Sequence, residues 1–238
     1  MSSRKIAIAT LLSAGLLAAA PASAEVSGSV TVVSDYLFRG VTQTNEKPAL
    51  QAGVTWEHES GFYVGGWGSS ISWLADSDPD VSSQVELDGF IGYAGEFGDS
   101  GFGYDVGANY YWYPGRYPAG YNDPDTLEVY FGLSWNVLSA KYSYATTDLF
   151  GIPDSDGSAA LDLGADWEFD GGWSVGVAYG RQWVSGYGGE LDYDYWKVAA
   201  GKSFENGFGI GLEWHDTDID GLMSDDISQY MRWPGCGC

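Results

Sequence analysis

The sequence predicts a transmembrane, antiparallel up-and-down β-barrel of about twelve strands behind a cleaved signal peptide. Three observations predict it: a secretory leader, strands that alternate apolar and polar residues, and aromatics placed beside turn after turn. The stretch "LDLGADWEFDGGWSVGVAYG" shows the alternation. Leu161, Leu163, Ala165, Trp167 and Phe169 alternate with Asp162, Gly164, Asp166 and Glu168. After an Asp-Gly-Gly turn, Trp173, Val175, Val177 and Tyr179 alternate with small residues. Successive side chains of a strand point to opposite faces, so each strand has one apolar face and one acidic or small face.

The leader is "MSSRKIAIATLLSAGLLAAAPASA", residues 1–24. It has a basic start (Arg4, Lys5), an apolar run from Ile6 to Ala20, and Ala22-Ser23-Ala24 before Glu25, which is the pattern of a secretory signal peptide. The run is short of the ~20 residues a spanning helix needs, and no later stretch is long and apolar enough. The mature chain is therefore expected to leave the cytoplasm, and any membrane span must be made of strands. Residues 25–233 are assigned to the barrel and 234–238 to an atypical C-terminal tail.

Composition narrows the class. Ten Lys and Arg stand against 33 Asp and Glu, a formal net charge of −23. Two of the ten bases lie in the leader, so the mature chain is more acidic still. With no basic footprint to meet phosphates, nucleic acid is excluded as a partner. Cations, or an anionic membrane surface bridged by cations, are permitted. Acidic chains are often disordered, but 11 Trp, 17 Tyr and 10 Phe contradict disorder here. Cys236 and Cys238, the only cysteines, are too close in sequence for an unstrained disulfide.

The period-two test gives strands at Val26–Arg39, Pro48–Glu57, Gly61–Trp73, Ser83–Gly95, Gly101–Tyr113 and Thr126–Trp135. It continues with Leu138–Thr146, Ala159–Phe169, Gly172–Gln182, Tyr193–Phe204, Gly207–Asp216 and a weaker Ile227–Trp233. Each is near the ~9–11 residues that a tilted strand needs to cross a bilayer. The connections alternate between short ones ("EHES", "FGDS", "NV", "DGG", "EN") and long polar ones. Tight turns on one side and long loops on the other are the layout of a bacterial outer-membrane barrel.

Aromatics bracket the short turns: Trp56 and Phe62, Phe97 and Phe102, Phe169 and Trp173, Phe204 and Phe208. Phe102 to Trp112 and Trp173 to Trp183 mark a second level farther along the same faces. At ~3.3 Å per residue and a ~40° tilt that separation rises about 25 Å, the height of the apolar band between two aromatic girdles. A secreted β-sandwich would not need aromatics at one height beside successive turns.

The segment Val33–Ser70 carries Ser34-Asp35-Tyr36, Phe38-Arg39-Gly40, Gln43, Pro48 and Gly61-Phe62-Tyr63-Val64-Gly65. It resembles the opening of the TorF-like family of proposed proteobacterial porins, also catalogued as Gcw_chp, and "DTDIDG" near the end fits too. The resemblance implies an outer-membrane β-barrel with a transport role. The chain departs from it at the end. Barrels of this type usually finish on an aromatic that the barrel-assembly machinery reads, whereas Trp233 is followed by "PGCGC".

If the apolar register faces lipid, the opposite register lines the lumen. It holds Asp35, Glu57, Glu86, Asp88, Asp105, Glu128, Asp162, Asp166, Glu168 and Glu213, with only Arg39, Lys141 and Lys197 as bases. Unpaired carboxylates cannot sit in hydrocarbon, so their placement calls for water inside. The excess of acid predicts a cation-preferring pore for small hydrophilic solutes or ions. The alternatives are a plugged structural or adhesive barrel and an outer-membrane lipid hydrolase. A hydrolase needs a nucleophile, a base and an orienting group in contact. The chain offers only His58, beside a short turn, and His215, with no serine convincingly placed on its strand. No enzyme is therefore expected.

Two loop features carry narrower expectations. The Tyr- and Gly-rich connection from Tyr111 to Asp125, with Arg116, either folds inward as a constriction or lies on the surface below the aromatic girdle. Asp216, Asp218, Asp220 and Gly221 match the opening of a calcium loop, although loop position twelve is Ile227 and no helices flank it. They predict at most weak Ca2+ or Mg2+ binding between loops and lipopolysaccharide, against the plainer reading that Asp and Gly make good turns. The expected setting is the outer membrane of a Gram-negative bacterium, among outer-membrane lipid and lipopolysaccharide.

Overall fold

The computed structural model describes residues 25–219. The leader, the expected strand Ile227–Trp233, Asp220 and the Cys-Gly-Cys tail lie outside the described residues. Within them the chain is all-β apart from one helical turn. The strands of the main sheet are β1 (Glu25–Val33), β4 (Ala49–Glu57), β5 (Phe62–Ser70), β6 (Val85–Glu96), β7 (Phe102–Trp112), β8 (Thr126–Trp135) and β9 (Leu138–Ala145). They continue with β10 (Ala159–Phe169), β11 (Trp173–Trp183), β12 (Tyr193–Ser203) and β13 (Gly209–Thr217). A separate small hairpin pairs β2 (Leu37–Phe38) with β3 (Val41–Thr42), and α1 (Trp73–Ser77) follows β5.

The eleven strands of the main sheet pair in chain order, each antiparallel to the next, which is an up-and-down meander. Their register keeps one parity of residues on one face throughout: Val177 sits opposite Ala165 and Val198, while Ala178 sits opposite Gly164 and Lys197. Five short turns lie on one side, including the two-residue Asn136-Val137 turn, where Asn136 takes φ 54. Asn tolerates that left-handed conformation better than most residues. The five long connections lie on the other side.

The sheet is inside-out relative to a soluble protein. Leu163, Val177, Val198 and Leu212 are exposed, whereas Glu86 (1 %), Gln182 (2 %) and Thr126 (0 %) are sealed. Monomeric soluble proteins rarely expose apolar patches beyond a few hundred Å², whereas here exposed apolar side chains recur on every strand of the sheet. Next to the short turns the expected aromatics pack together on the outside: Trp56 meets Phe62 edge-on at 6.1 Å, and Phe102 stacks on Trp135 at 5.5 Å. Trp196 and Trp214 pack at 6.2 Å towards the long-loop side.

The sheet curls around its polar face. Tyr63 on β5 reaches Tyr130 on β8, and Arg39, between β1 and β4, reaches Glu128 on β8 and Gln182 on β11. Two expectations are corrected here. The first strand ends at Val33 rather than Arg39, because the chain leaves the wall and makes the β2–β3 hairpin inside it. The third ends at Ser70, where residues 71–84 fold over the end of the barrel and include α1.

Candidate functional site

The polar face is built from strand positions whose neighbours across the ladder are often glycine. Tyr63 pairs with Gly92, Tyr130 with Gly107, and Tyr195 with Gly180. A tyrosine facing glycine can lie flat over it; a Cβ at Gly107 would come 2.5 Å from the Tyr130 hydroxyl. This is how the chain packs large polar rings inside a narrow barrel. The Tyr63 hydroxyl donates to Asp105 at 2.6 Å and also meets the Tyr130 hydroxyl. The Lys141 ammonium sits 4.1 Å from the Tyr130 ring centre, and Tyr195 donates to Asp162.

Towards the long loops, the segment 34–48 crosses the lumen. Its base is tied by Asp35, whose Oδ1 accepts from the Thr42 hydroxyl at 2.5 Å and the Thr44 hydroxyl at 3.0 Å. At the tip, Arg39 (φ 47) and Gly40 (φ 79) form a two-residue turn with both φ positive, the geometry that suits a tight hairpin. The Arg39 guanidinium grips Glu128 with two hydrogen bonds of 2.7 and 2.8 Å and donates to Gln182 at 2.9 Å. Planar forked pairing of this kind is the strong form of an ion pair. The Arg39 and Glu128 side chains are 7 % and 4 % exposed, so water screens them little. Burial alone would lower the Arg39 pKa, but the Glu128 carboxylate more than offsets this and raises it. Gly40 lies against Tyr195 and Thr217, where a Cβ would come 2.7 Å from the Tyr195 Cβ and 3.2 Å from the Thr217 Cβ.

The hairpin is also packed along its length. Tyr36 donates to Glu86 at 3.3 Å and meets Trp67 edge-on, and Phe38 meets Tyr111 and Phe150 edge-on. Burial, then the nearby Glu86, pushes the Tyr36 phenol well above its ordinary pKa. Above it, Ile71, Leu74, Val81 and Tyr113 make an apolar core under the loops. A second cluster, Leu149, Val184 and Leu191, lies under the 146–158 and 184–192 connections.

The expected lumen residues divide into three sets. Asp35, Arg39, Glu86, Asp88 and Glu128 come together around the hairpin, with Asp88 accepting from Asn109 at 3.3 Å. Asp105, Lys141 and Asp162 lie in the tyrosine layer. Nearer the short turns, Lys197 pairs with Glu213 at 3.4 Å, while Glu57, Asp166 and Glu168 have no Lys or Arg paired to them among the described residues. Asp35 serves its own loop rather than the wall. Sequence reasoning missed Gln182, Tyr63, Tyr111, Tyr130 and Tyr195. All five are in the inward register; parity alone could have found four of them, whereas Tyr63 lies on the strand expected at Gly61–Trp73, neither face of which is clean in the sequence. The inward-folding segment is 34–48, whereas the connection after Tyr111 packs on residues 72–83, with Arg116 bonding Ser82 through its backbone.

The loop carboxylates act as local acceptors. Asp218 Oδ1 accepts from the Asp194 amide at 2.6 Å, and Asp216 Oδ1 from the Thr217 amide at 2.9 Å. Among the described residues no group of three His, Cys, Asp or Glu is placed to hold a metal ion. His58 lies 2.8 Å from the Ser60 hydroxyl, but the Ser60 amide shares the same Nδ1 and both are exposed in a short turn. That is a turn contact and lacks an orienting group.

A family model for bacterial proteins of unknown function, Gcw_chp, matches residues 18–230. The chain belongs to the Gcw_chp family. No curated protein matches it. Among solved structures it is similar to a KdgM porin, at 8 % identity and a TM-score of 0.46, covering 82 % of this chain and 98 % of that one. It is also similar to OccK2 (OpdF) of Pseudomonas aeruginosa in complex with glucuronate, at 13 % identity and a TM-score of 0.34. There the match covers 79 % of this chain and 60 % of the other. OccAB3 of Acinetobacter baumannii is similar at 11 % identity and a TM-score of 0.37, over 82 % of this chain and 65 % of that one. None of these is named as an enzyme.

Proposed function

We propose that the protein is a narrow, non-enzymatic porin-like channel of the Gram-negative outer membrane, preferring cations among small hydrophilic solutes and ions. One observation carries the reading: an apolar outer face backed by a polar inner face along every strand of the meander. That arrangement serves a wall between lipid and water. Cation preference is supported by the charge balance. Arg39 and Lys197 are each taken up by a carboxylate, and Glu57, Asp166 and Glu168 remain without a base. Acidic side chains along a pore favour cations.

In this setting the partners are outer-membrane lipid, lipopolysaccharide and the barrel-assembly machinery, as the resemblance to TorF-like proteobacterial porins implies. Calcium or magnesium belongs to it only as weakly held ions near Asp216, Asp218 and Asp220, read out as a calcium-dependent rise in melting temperature. The direct test is the refolded protein in a planar bilayer with a potassium chloride gradient. Small conductance steps with a reversal potential of cation-selective sign are expected. Absence of steps, or an anion-selective sign, overturns the reading.

A further inference from the structure

We propose that the hairpin of residues 37–42 is the channel's constriction, narrowing the lumen without closing it, and that Arg39, seated on Glu128 and Gln182, is the latch holding it there. The proposal rests on the channel reading. The hairpin leaves the wall after β1, and its tip reaches Glu128 on β8, five strands along the sheet from β1, and Gln182 on β11. It therefore crosses the opening rather than lining it. Its tip places a non-glycine residue, Arg39, at positive φ. The tight turn that this φ belongs to presents the Arg39 side chain to the forked pair with Glu128 and to the Gln182 contact.

Gln182 is itself held by the wall, its amide nitrogen donating to the Ala159 and Trp183 carbonyls at 3.0 and 3.1 Å. The receiving side is thus fixed to the wall, and Arg39 ties the hairpin tip to it. Glu128 has a second donor, the Tyr111 hydroxyl at 3.2 Å, which keeps the carboxylate aimed into the lumen when Arg39 is absent. Removing either charge leaves the other in the conduction path, so the two removals act oppositely on selectivity.

The test uses the full chain with Arg39→Ala, Glu128→Gln, Arg39→Lys, and a variant whose residues 37–42 are replaced by a short Gly-Ser linker. Heat-modifiable gel migration verifies that each is folded; the linker variant alters no wall strand and keeps the test open if a point variant does not fold. Single-channel conductance should rise in Arg39→Ala, Glu128→Gln and the linker variant. The reversal potential should move towards cations in Arg39→Ala and towards anions in Glu128→Gln, with Arg39→Lys closest to wild type. A wild-type pore that conducts, with variants of unchanged conductance and selectivity, overturns the latch while leaving the channel. No conductance from any form overturns the channel reading and the latch with it.

Discussion

Gly107 and Tyr130 are a cross-strand pair in which the smallest residue makes room for one of the largest. The inner face repeats this device with Gly92 and Tyr63 and with Gly180 and Tyr195. Gly107→Val should therefore push the Tyr130 ring off its seat and break its contacts with Tyr63 and Lys141. The expected cost is about 1–3 kcal/mol, typical of overpacking. Gly89 is the control, since a Cβ there meets nothing within 4 Å. Gly89→Ala should stay within about 1 kcal/mol of wild type. Equilibrium unfolding from lipid vesicles measures both, and equal effects would contradict this account of the glycines.

At the scale of elements, hairpin β10–β11 makes the outward register testable. Val177 is mid-strand, exposed and opposite Ala165 and Val198, so lipid should cover it. Val177→Arg should cost ~2–4 kcal/mol in the same unfolding measurement, the penalty for a charge at the bilayer midplane. Ala178→Ser, one residue away on the inner face, should change stability by less than about 0.5 kcal/mol. The reverse order would put the sheet the wrong way round. This hairpin was fully legible in the sequence, because its period-two pattern is unbroken between two turn signals. The 34–48 segment was not. Its inner-facing acid and base obey the strand parity, and a period test cannot tell a strand that stays in the wall from one that leaves it. The signal was local: Arg39-Gly40 between the β-forming pairs Leu37-Phe38 and Val41-Thr42 is a two-residue hairpin in miniature. Likewise, the partners of Arg39 depend on cross-lumen distances, which no sequence spacing encodes.

For the molecule as a whole, the barrel architecture, the side carrying the long loops, and the acidic inner register all follow from alternation and turn spacing. The capped lumen does not, since it arises when Tyr36, Phe38 and the 72–83 and 113–125 loops collapse into one apolar core. Function depends on a single physical claim: every strand separates lipid on one side from water on the other. Nitroxide labels at 174, 175, 177 and 178 on β11, in a chain with Cys236 and Cys238 replaced by Ser, test it in lipid vesicles. Labels on Val175 and Val177 should be relaxed by oxygen, which concentrates in lipid, and labels on Ser174 and Ala178 by a water-soluble nickel chelate. Accessibility without a two-residue alternation, or outward positions shielded from oxygen as in a dry protein core, would contradict the account.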